Sequence, residues 1–147
     1  MSLSDKEKQG KLKKHKATLK DIARLLIAVQ RRLDDAGRSS LHNETRLEQA
    51  YEAILLCSTA ALQASDYRVR LGEGHHYESI ESLRLTLGTD AKRVKYFQAL
   101  RRKRHKGLYE GLVNASNSDI DDAINFAKGL HDELLAWLEA NHPDLCE

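Results

Sequence analysis

The sequence predicts an all-α protein, with four or five helices in a single domain. Of its 147 residues, 41% are apolar and 31% are charged, a balance that is typical of globular folds. Only one residue is proline, whereas Leu, Ala, Lys, Arg and Glu, which favour helices, are frequent. Apolar residues recur at the helical period of about 3.6, and no run shows the alternation of a half-buried strand.

The N-terminal half of the chain contains two predicted long helices. Residues 1–17 form a lysine-rich extension that we expect to be partly disordered or helical. A stripe of apolar residues predicts the first long helix over 18–35, and Gly37 ends it. Asn43 is a favourable N-cap for the second, whose buried face runs over 47–62.

The C-terminal half adds shorter predicted elements. They are a loop (66–74), a short helix (75–87), a basic helix capped by Thr89, and a last helix that opens with a capping box of Ser118 and Asp121 and stops before Pro143. The predicted bundle therefore spans 18–142, and 143–147 form a tail.

The basic helix carries the strongest chemical signal. Between positions 90 and 106, eight lysines and arginines stand against one aspartate, whereas 110–147 contain nine carboxylates and one lysine. Like charges one turn apart repel, so such a helix needs an anionic partner. Two alternatives are open. The helix faces an external polyanion, or its arginines pair with Asp119, Asp121 or Asp122 of the acidic last helix.

Other features exclude several classes of protein. The longest apolar runs are too short to span a bilayer, and no apolar stretch follows the basic N-terminus as in a signal peptide. Cys57 and Cys146 are far apart in sequence and suggest reduced thiols, so we expect a cytoplasmic protein with no membrane partner. The adjacent His75 and His76 lack a third ligand at a favourable spacing, so neither a metal nor another cofactor is predicted.

The order of these elements resembles the HEPN domains, most of all the small stand-alone bacterial branch. The resemblance covers roughly 43–137 and depends on four segments: Ala50-Tyr51, Tyr67-Arg68-Val69-Arg70, His75-His76 and the run from Arg104 to Tyr109. It implies an antiparallel bundle of four to five helices. It also implies a homodimer with two copies of the motif facing across a cleft, and a metal-independent ribonuclease of toxin–antitoxin type. The implied partner is a cognate antitoxin or a nucleotidyltransferase.

The resemblance also implies a set of catalytic residues. Arg104 fits the family arginine, His105 occupies the polar position after it, and the family histidine falls on Tyr109. A tyrosine, with a pKa near ~10, is a poor general base at neutral pH. His105 is the alternative source of an imidazole, although it lies about 100° from Arg104 around a continuous helix.

The residues themselves support phosphate binding. Arg101 lies three residues before Arg104 and four before His105, so it is close to each of them on the helix surface, and Arg102 adds a further forked donor for phosphate oxygens. Arg68 and Arg70 of the loop either line the same cleft or cap the C-terminus of the second helix.

Together these features lead to two hypotheses. The first is a protein that binds RNA or a nucleotide phosphate, with a metal-independent ribonuclease activity through an altered motif. The alternative is a non-catalytic helical protein-interaction module, either an antitoxin partner or a dimeric scaffold.

Overall fold

The computed structural model confirms a mostly helical chain. It describes residues 1–72, 74–111 and 114–146, and for 108–110 it describes the backbone but not the side chains. The described residues form six α-helices and two short strands, joined in places by 3-10 turns. The elements are α1 (Leu3–Lys8), β1 (Leu12–Lys14), α2 (Leu19–Ala36), α3 (Asn43–Ala64), β2 (Tyr67–Val69), α4 (His75–Glu81), α5 (Ala91–Glu110) and α6 (Asn117–Asn141), with 3-10 turns at Ser82–Arg84 and Pro143–Leu145.

Helix α3 is the centre of the fold. It is apolar on almost every side, and α2, α4, α5 and α6 all contact it. Such a helix must be covered all round to leave water. Tyr51, Ile54 and Cys57 are completely buried in it, and burial raises the pKa of the Cys57 thiol to about 12. The amphipathic α2 and α6 make its most extensive contacts.

The helix starts differ in detail from the predicted ones. The Thr18 hydroxyl caps α2 in a capping box with Asp21, but α6 opens two residues earlier than predicted, on Ser116 with Asp119. Both candidate boxes fit the pattern. The earlier register is the one in which Ile120 is fully buried.

Two other predicted caps have different roles. Asp90, not Thr89, caps α5, and the Thr89 side chain is buried. Asn43 is the first residue of α3 rather than its cap. Its amide donates to the Ala115 carbonyl at 3.1 Å and to Asn117 Oδ1 at 3.0 Å. It therefore joins the starts of α3 and α6.

The two strands were not predicted. β1 pairs antiparallel with β2, with Leu12 opposite Val69 and Lys14 opposite Tyr67. Strands of three residues are too short to show alternation in sequence. Leu12 is fully buried and packs on Leu62 and Tyr67. The N-terminal extension therefore holds a helix and a strand, and the predicted loop 66–74 contains the strand with which it pairs.

An almost buried ion pair attaches the N-terminal segment to α4. Lys6 Nζ lies 2.8 Å from Glu78 Oε2, and the two side chains are only 10% and 14% exposed. Lys11 lies further from the same carboxylate, at 3.7 Å, and is more exposed. Lys6 is therefore the main partner of Glu78.

None of the helices in the described part of the chain is long and apolar enough to cross a membrane.

Replacing Lys6 with Met should lower the free energy of unfolding by about 2 kcal/mol, because Glu78 would keep its charge in a site with little water. Urea unfolding followed by circular dichroism measures this. Lys16→Met, at an exposed lysine, is the matched control and should change the stability by less than about 0.5 kcal/mol. The double variant Lys6→Met/Glu78→Met should recover part of the loss. Equal stabilities for the two single variants would contradict this role for the pair.

Candidate functional site

A basic cleft of about 630 Å³ lies where α4 and α5 meet the edge of α3. Three arginines and three histidines line it, and none of its described lining residues is a carboxylate. We refer to it below as the basic cleft. Its described lining consists of Tyr51, Gly72, Gly74, His75, His76, Tyr77, Arg101, Arg102, Arg104 and His105.

Helix α5 supplies the arginines of the basic cleft. Val94, Phe97 and Leu100, spaced three residues apart, are buried and anchor one face of the helix in the core. The residues at 101, 104 and 105 continue the same side of the helix towards its C-terminal end. The helix continues to Glu110, so Gly107 does not end it, and the Arg104 and His105 side chains both line the cleft.

A buried glutamine joins α4 and α5, the helices on two sides of the basic cleft. Gln98 is only 4% exposed. Its amide nitrogen donates to the Tyr77 carbonyl at 3.0 Å and to Glu81 Oε2 at 2.9 Å. Its oxygen accepts from Arg101 Nε at 2.7 Å. Because both ends of the amide are satisfied, α4 and α5 are held in one register and Arg101 is oriented.

Arg101 also contacts an aromatic ring. Its guanidinium carbon lies 5.6 Å from the centre of the Tyr77 ring, within the range of a cation–π contact. The Nε donor is used by Gln98, and no ion pair to Arg101 or to the exposed Arg102 occurs among the described residues. Within the described part of the chain, the outer nitrogens of Arg101 are therefore not held by a carboxylate.

Arg104 is held more firmly against α3. Its Nη2 lies 3.2 Å from Glu52 Oε1 and 3.8 Å from Glu48 Oε1, and the side chain is 23% exposed. The guanidinium carbon lies 5.8 Å from the centre of the Tyr51 ring. Its Nε is buried without a hydrogen-bond partner among the described residues. Arg104 thus stands between the basic cleft and two carboxylates at its edge.

Tyr51 and His76 form a polar pair at the floor of the basic cleft. The Tyr51 hydroxyl lies 3.2 Å from His76 Nδ1. Burial raises the pKa of Tyr51 to about 12, so the phenol remains protonated. Burial, and then the charges of His75, Arg104 and Arg101, lower the pKa of His76 below its usual 6.5. His76 is therefore neutral at pH 7 and can accept a proton.

The loop before α4 sets the position of His75. Gly74 has a φ of 82°, a left-handed conformation that favours glycine. The chain then turns so that His75 Nδ1 donates to the Gly72 carbonyl at 2.7 Å. Since a carbonyl only accepts, the other ring nitrogen of a neutral His75 carries the lone pair.

The acidic last helix neutralises two other cations of α5. Arg93 pairs with Glu133 at 2.6 Å, and Lys103 lies 3.7 Å from Asp119 Oδ2. The alternative of internal neutralisation therefore applies to Arg93 and Lys103, whereas an external polyanion stays a prediction. The expectation that arginines pair with Asp119, Asp121 or Asp122 is wrong for the described residues, because Lys103 is the partner of Asp119 and Arg104 turns to α3 instead.

The basic cleft brings together only some of the predicted site residues. Arg101, Arg102, Arg104 and His105 all line it. Arg68 lies on β2 and lines a separate groove of about 160 Å³ beside Thr59 and Leu71. Arg70 is exposed, and its backbone nitrogen donates to the Lys11 carbonyl. The side chain of Tyr109, the third predicted catalytic residue, lies outside the described residues.

Sequence reasoning missed the α3 and α4 side of the basic cleft. His75 and His76 stand in the compared motif, but nothing in the sequence indicates that Tyr51 reaches His76 from α3. Gln98 carries no sequence signal, because a glutamine in a charged helix is normally exposed. The described residues contain no cluster of three or more His, Cys, Asp or Glu side chains that could hold a metal ion.

Comparison with known proteins finds no matching family model, no similar curated protein and no similar solved structure.

The lowered pKa of His76 can be measured directly. In an NMR titration of the ring nitrogens, His76 should titrate below 6.5, because burial and the two arginines disfavour its charged form. Arg104→Gln should raise that pKa part of the way towards 6.5, since the burial remains. Arg84→Gln, at an exposed arginine outside the lining of the cleft, is the matched control and should leave the pKa of His76 unchanged. A His76 pKa above 6.5 would contradict the arrangement.

Proposed function

We propose that the basic cleft binds the phosphate backbone of single-stranded RNA. The observation that carries this proposal is the combination of three guanidinium groups and three imidazoles around one open cleft with no carboxylate among its described lining. Forked guanidinium donors match phosphate oxygens, and binding releases the counterions of the polyanion. The sequence resemblance to HEPN domains points to the same ligand.

An aromatic ring in the basic cleft favours an unpaired nucleotide over a free phosphate ion. Tyr77 is 42% exposed, and Arg101 lies over its ring. Single-stranded RNA is commonly bound by stacking an unpaired base on an aromatic or arginine plane while cations contact the neighbouring phosphates. Tyr77 and Arg101 provide the stacking surface in this proposal, and the exposed Arg102 provides the first phosphate contact.

Glu52 competes with the ligand for Arg104. The guanidinium already has a carboxylate at 3.2 Å, so a phosphate must share or displace that partner. Arg101 and Arg102 have no such competitor among the described residues. In this proposal they contribute most of the affinity, and Arg104 contributes less.

Cleavage of the bound RNA is a second candidate function, favoured by His76 and His105 in the same cleft. Metal-free cleavage needs a base that takes the proton of the 2′-hydroxyl and an acid that protonates the departing 5′-oxygen. His76 is assigned the role of the base because it is neutral at pH 7. His105 is assigned the role of the acid, and the arginines would stabilise the charge on the phosphate.

Substitution of the cleft arginines tests the binding proposal. Arg101→Ala and Arg102→Ala should each weaken binding of a labelled single-stranded RNA by about three- to tenfold and reduce the salt slope by about one, as loss of a phosphate contact does. Arg84→Ala, at an exposed arginine outside the cleft, is the matched control. Fluorescence anisotropy at several salt concentrations gives both quantities.

Three outcomes of this experiment overturn the proposal: no binding, equal loss for the control variant, or binding only of a co-purified acidic protein. The last one would favour the protein-interaction module. Parallel incubation of RNA in EDTA with the wild type, His76→Gln and His105→Gln decides the cleavage candidate. Products that persist in EDTA and vanish in both variants would establish it, whereas intact bound RNA would leave a binding protein.

Removing the competing charge should strengthen binding. Glu52→Gln keeps the shape of the side chain but frees Arg104, and it should lower the RNA dissociation constant by about two- to fivefold, the worth of a partly exposed ion pair. Glu133→Gln, which removes a carboxylate from Arg93 near the start of α5 and outside the cleft lining, is the control and should have a smaller effect. A weaker complex in Glu52→Gln would show that Glu52 positions Arg104 for the ligand.

A further inference from the structure

A second surface feature lies outside the basic cleft. An open groove of about 500 Å³ runs between α2 and α6. Leu19, Ile27 and Leu135, all in its lining, are 38%, 54% and 41% exposed. Large apolar side chains gathered at one place, rather than scattered singly, indicate a contact surface. We call it the α2–α6 groove.

Basic residues follow the α2 side of the groove. Lys20, Arg24 and Arg31 are exposed, and Arg24 and Arg31 stand three residues before and four residues after Ile27. This spacing puts them on the same helix face as Ile27. No ion pair to these three cations occurs in the described part of the chain.

Acidic residues follow the α6 side. Asp132 and Glu139 are exposed and stand three residues before and four residues after Leu135, and Glu139 itself lines the groove. Neither carboxylate forms an ion pair with another described residue. The groove therefore has one basic edge and one acidic edge, each with an exposed apolar side chain at its centre.

We propose that the α2–α6 groove is the interface of a two-fold homodimer. A two-fold axis that runs parallel to the groove exchanges its two edges between the protomers, so the basic α2 edge of one protomer meets the acidic α6 edge of the other, twice. A partner of uniform charge would match one edge and repel the other. A second copy of this chain supplies both charge signs and the apolar residues between them.

In this dimer the basic cleft of each protomer lies outside the interface. The groove and the basic cleft share no lining residue. The arrangement differs from the one implied by the HEPN resemblance, in which two motifs face each other across the dimer axis. It goes beyond the proposed RNA binding and does not depend on it.

Sedimentation equilibrium of the full chain with charge-reversed variants tests the proposal. The wild type should dimerise, and Arg24→Glu or Glu139→Arg should each raise the dimer dissociation constant by about tenfold or more, since attraction becomes repulsion at two symmetric places. The double variant Arg24→Glu/Glu139→Arg should restore the dimer if these edges face each other. Ile27→Asp should abolish it.

Two controls separate this interface from general surface effects. Lys95→Glu reverses an exposed charge on α5, and Leu71→Asp places a charge at a leucine that is 89% exposed outside the groove. Both variants should dimerise as the wild type does, and circular dichroism should show an unchanged fold in every variant. A monomeric wild type, a dimer insensitive to the groove variants, or a charge swap that restores nothing would each overturn the proposal. RNA binding should persist in Arg24→Glu, which distinguishes failure of the dimer from failure of the cleft.

Discussion

The enclosure of α3 on nearly every side is the constraint on which the rest of the structure depends. The part of α3 after Glu52 is almost entirely apolar and cannot remain at a surface, so the neighbouring helices have to cover it. The sequence of α3 is polar at Glu48, Tyr51 and Glu52. The neighbouring helices leave a gap there, and the basic cleft begins in it. Tyr51 remains fully buried and offers only its hydroxyl to His76. Glu52 stays at the edge, where it can hold Arg104. The packing of α3 in the core thus decides which of its polar groups lie next to the arginines of α5.

One buried amide, that of Gln98, holds α4 and α5 in place around the basic cleft. Gln98 is removed from water, which costs free energy unless each of its polar atoms finds a partner. It finds them on the Tyr77 backbone, on Glu81 and on Arg101. The same bonds that satisfy the amide fix the distance between α4 and α5 and orient one arginine. Glu78, also on α4, pairs with Lys6, so α4 is bound both to α5 and to the N-terminal segment.

The charges of the chain are divided between faces rather than balanced locally. A net charge of +2 conceals a basic helix and an acidic one. Helix α6 neutralises Arg93 and Lys103, and α3 partly neutralises Arg104. Arg101 and Arg102, which lack a carboxylate partner among the described residues, are left at the basic cleft. The charges of α2 and α6 that form no ion pair within the described part of the chain remain at the opposite edges of their shared groove. The proposals for ligand and partner both follow from this division.

The sequence by itself determined the long helices, because apolar spacing acts between residues a few positions apart. It also indicated the run of cations towards the end of α5. The tertiary structure alone decided the partners of those arginines. The contact of Arg104 with Glu52 joins residues that are far apart in the chain, as do those of Gln98 with α4 and of β1 with β2. Such contacts leave no periodic signal, since their energy depends on burial and distance after folding. For this reason the separation of Arg68 and Arg70 from the basic cleft, and the entry of His76 into it, could be learned only from the folded chain.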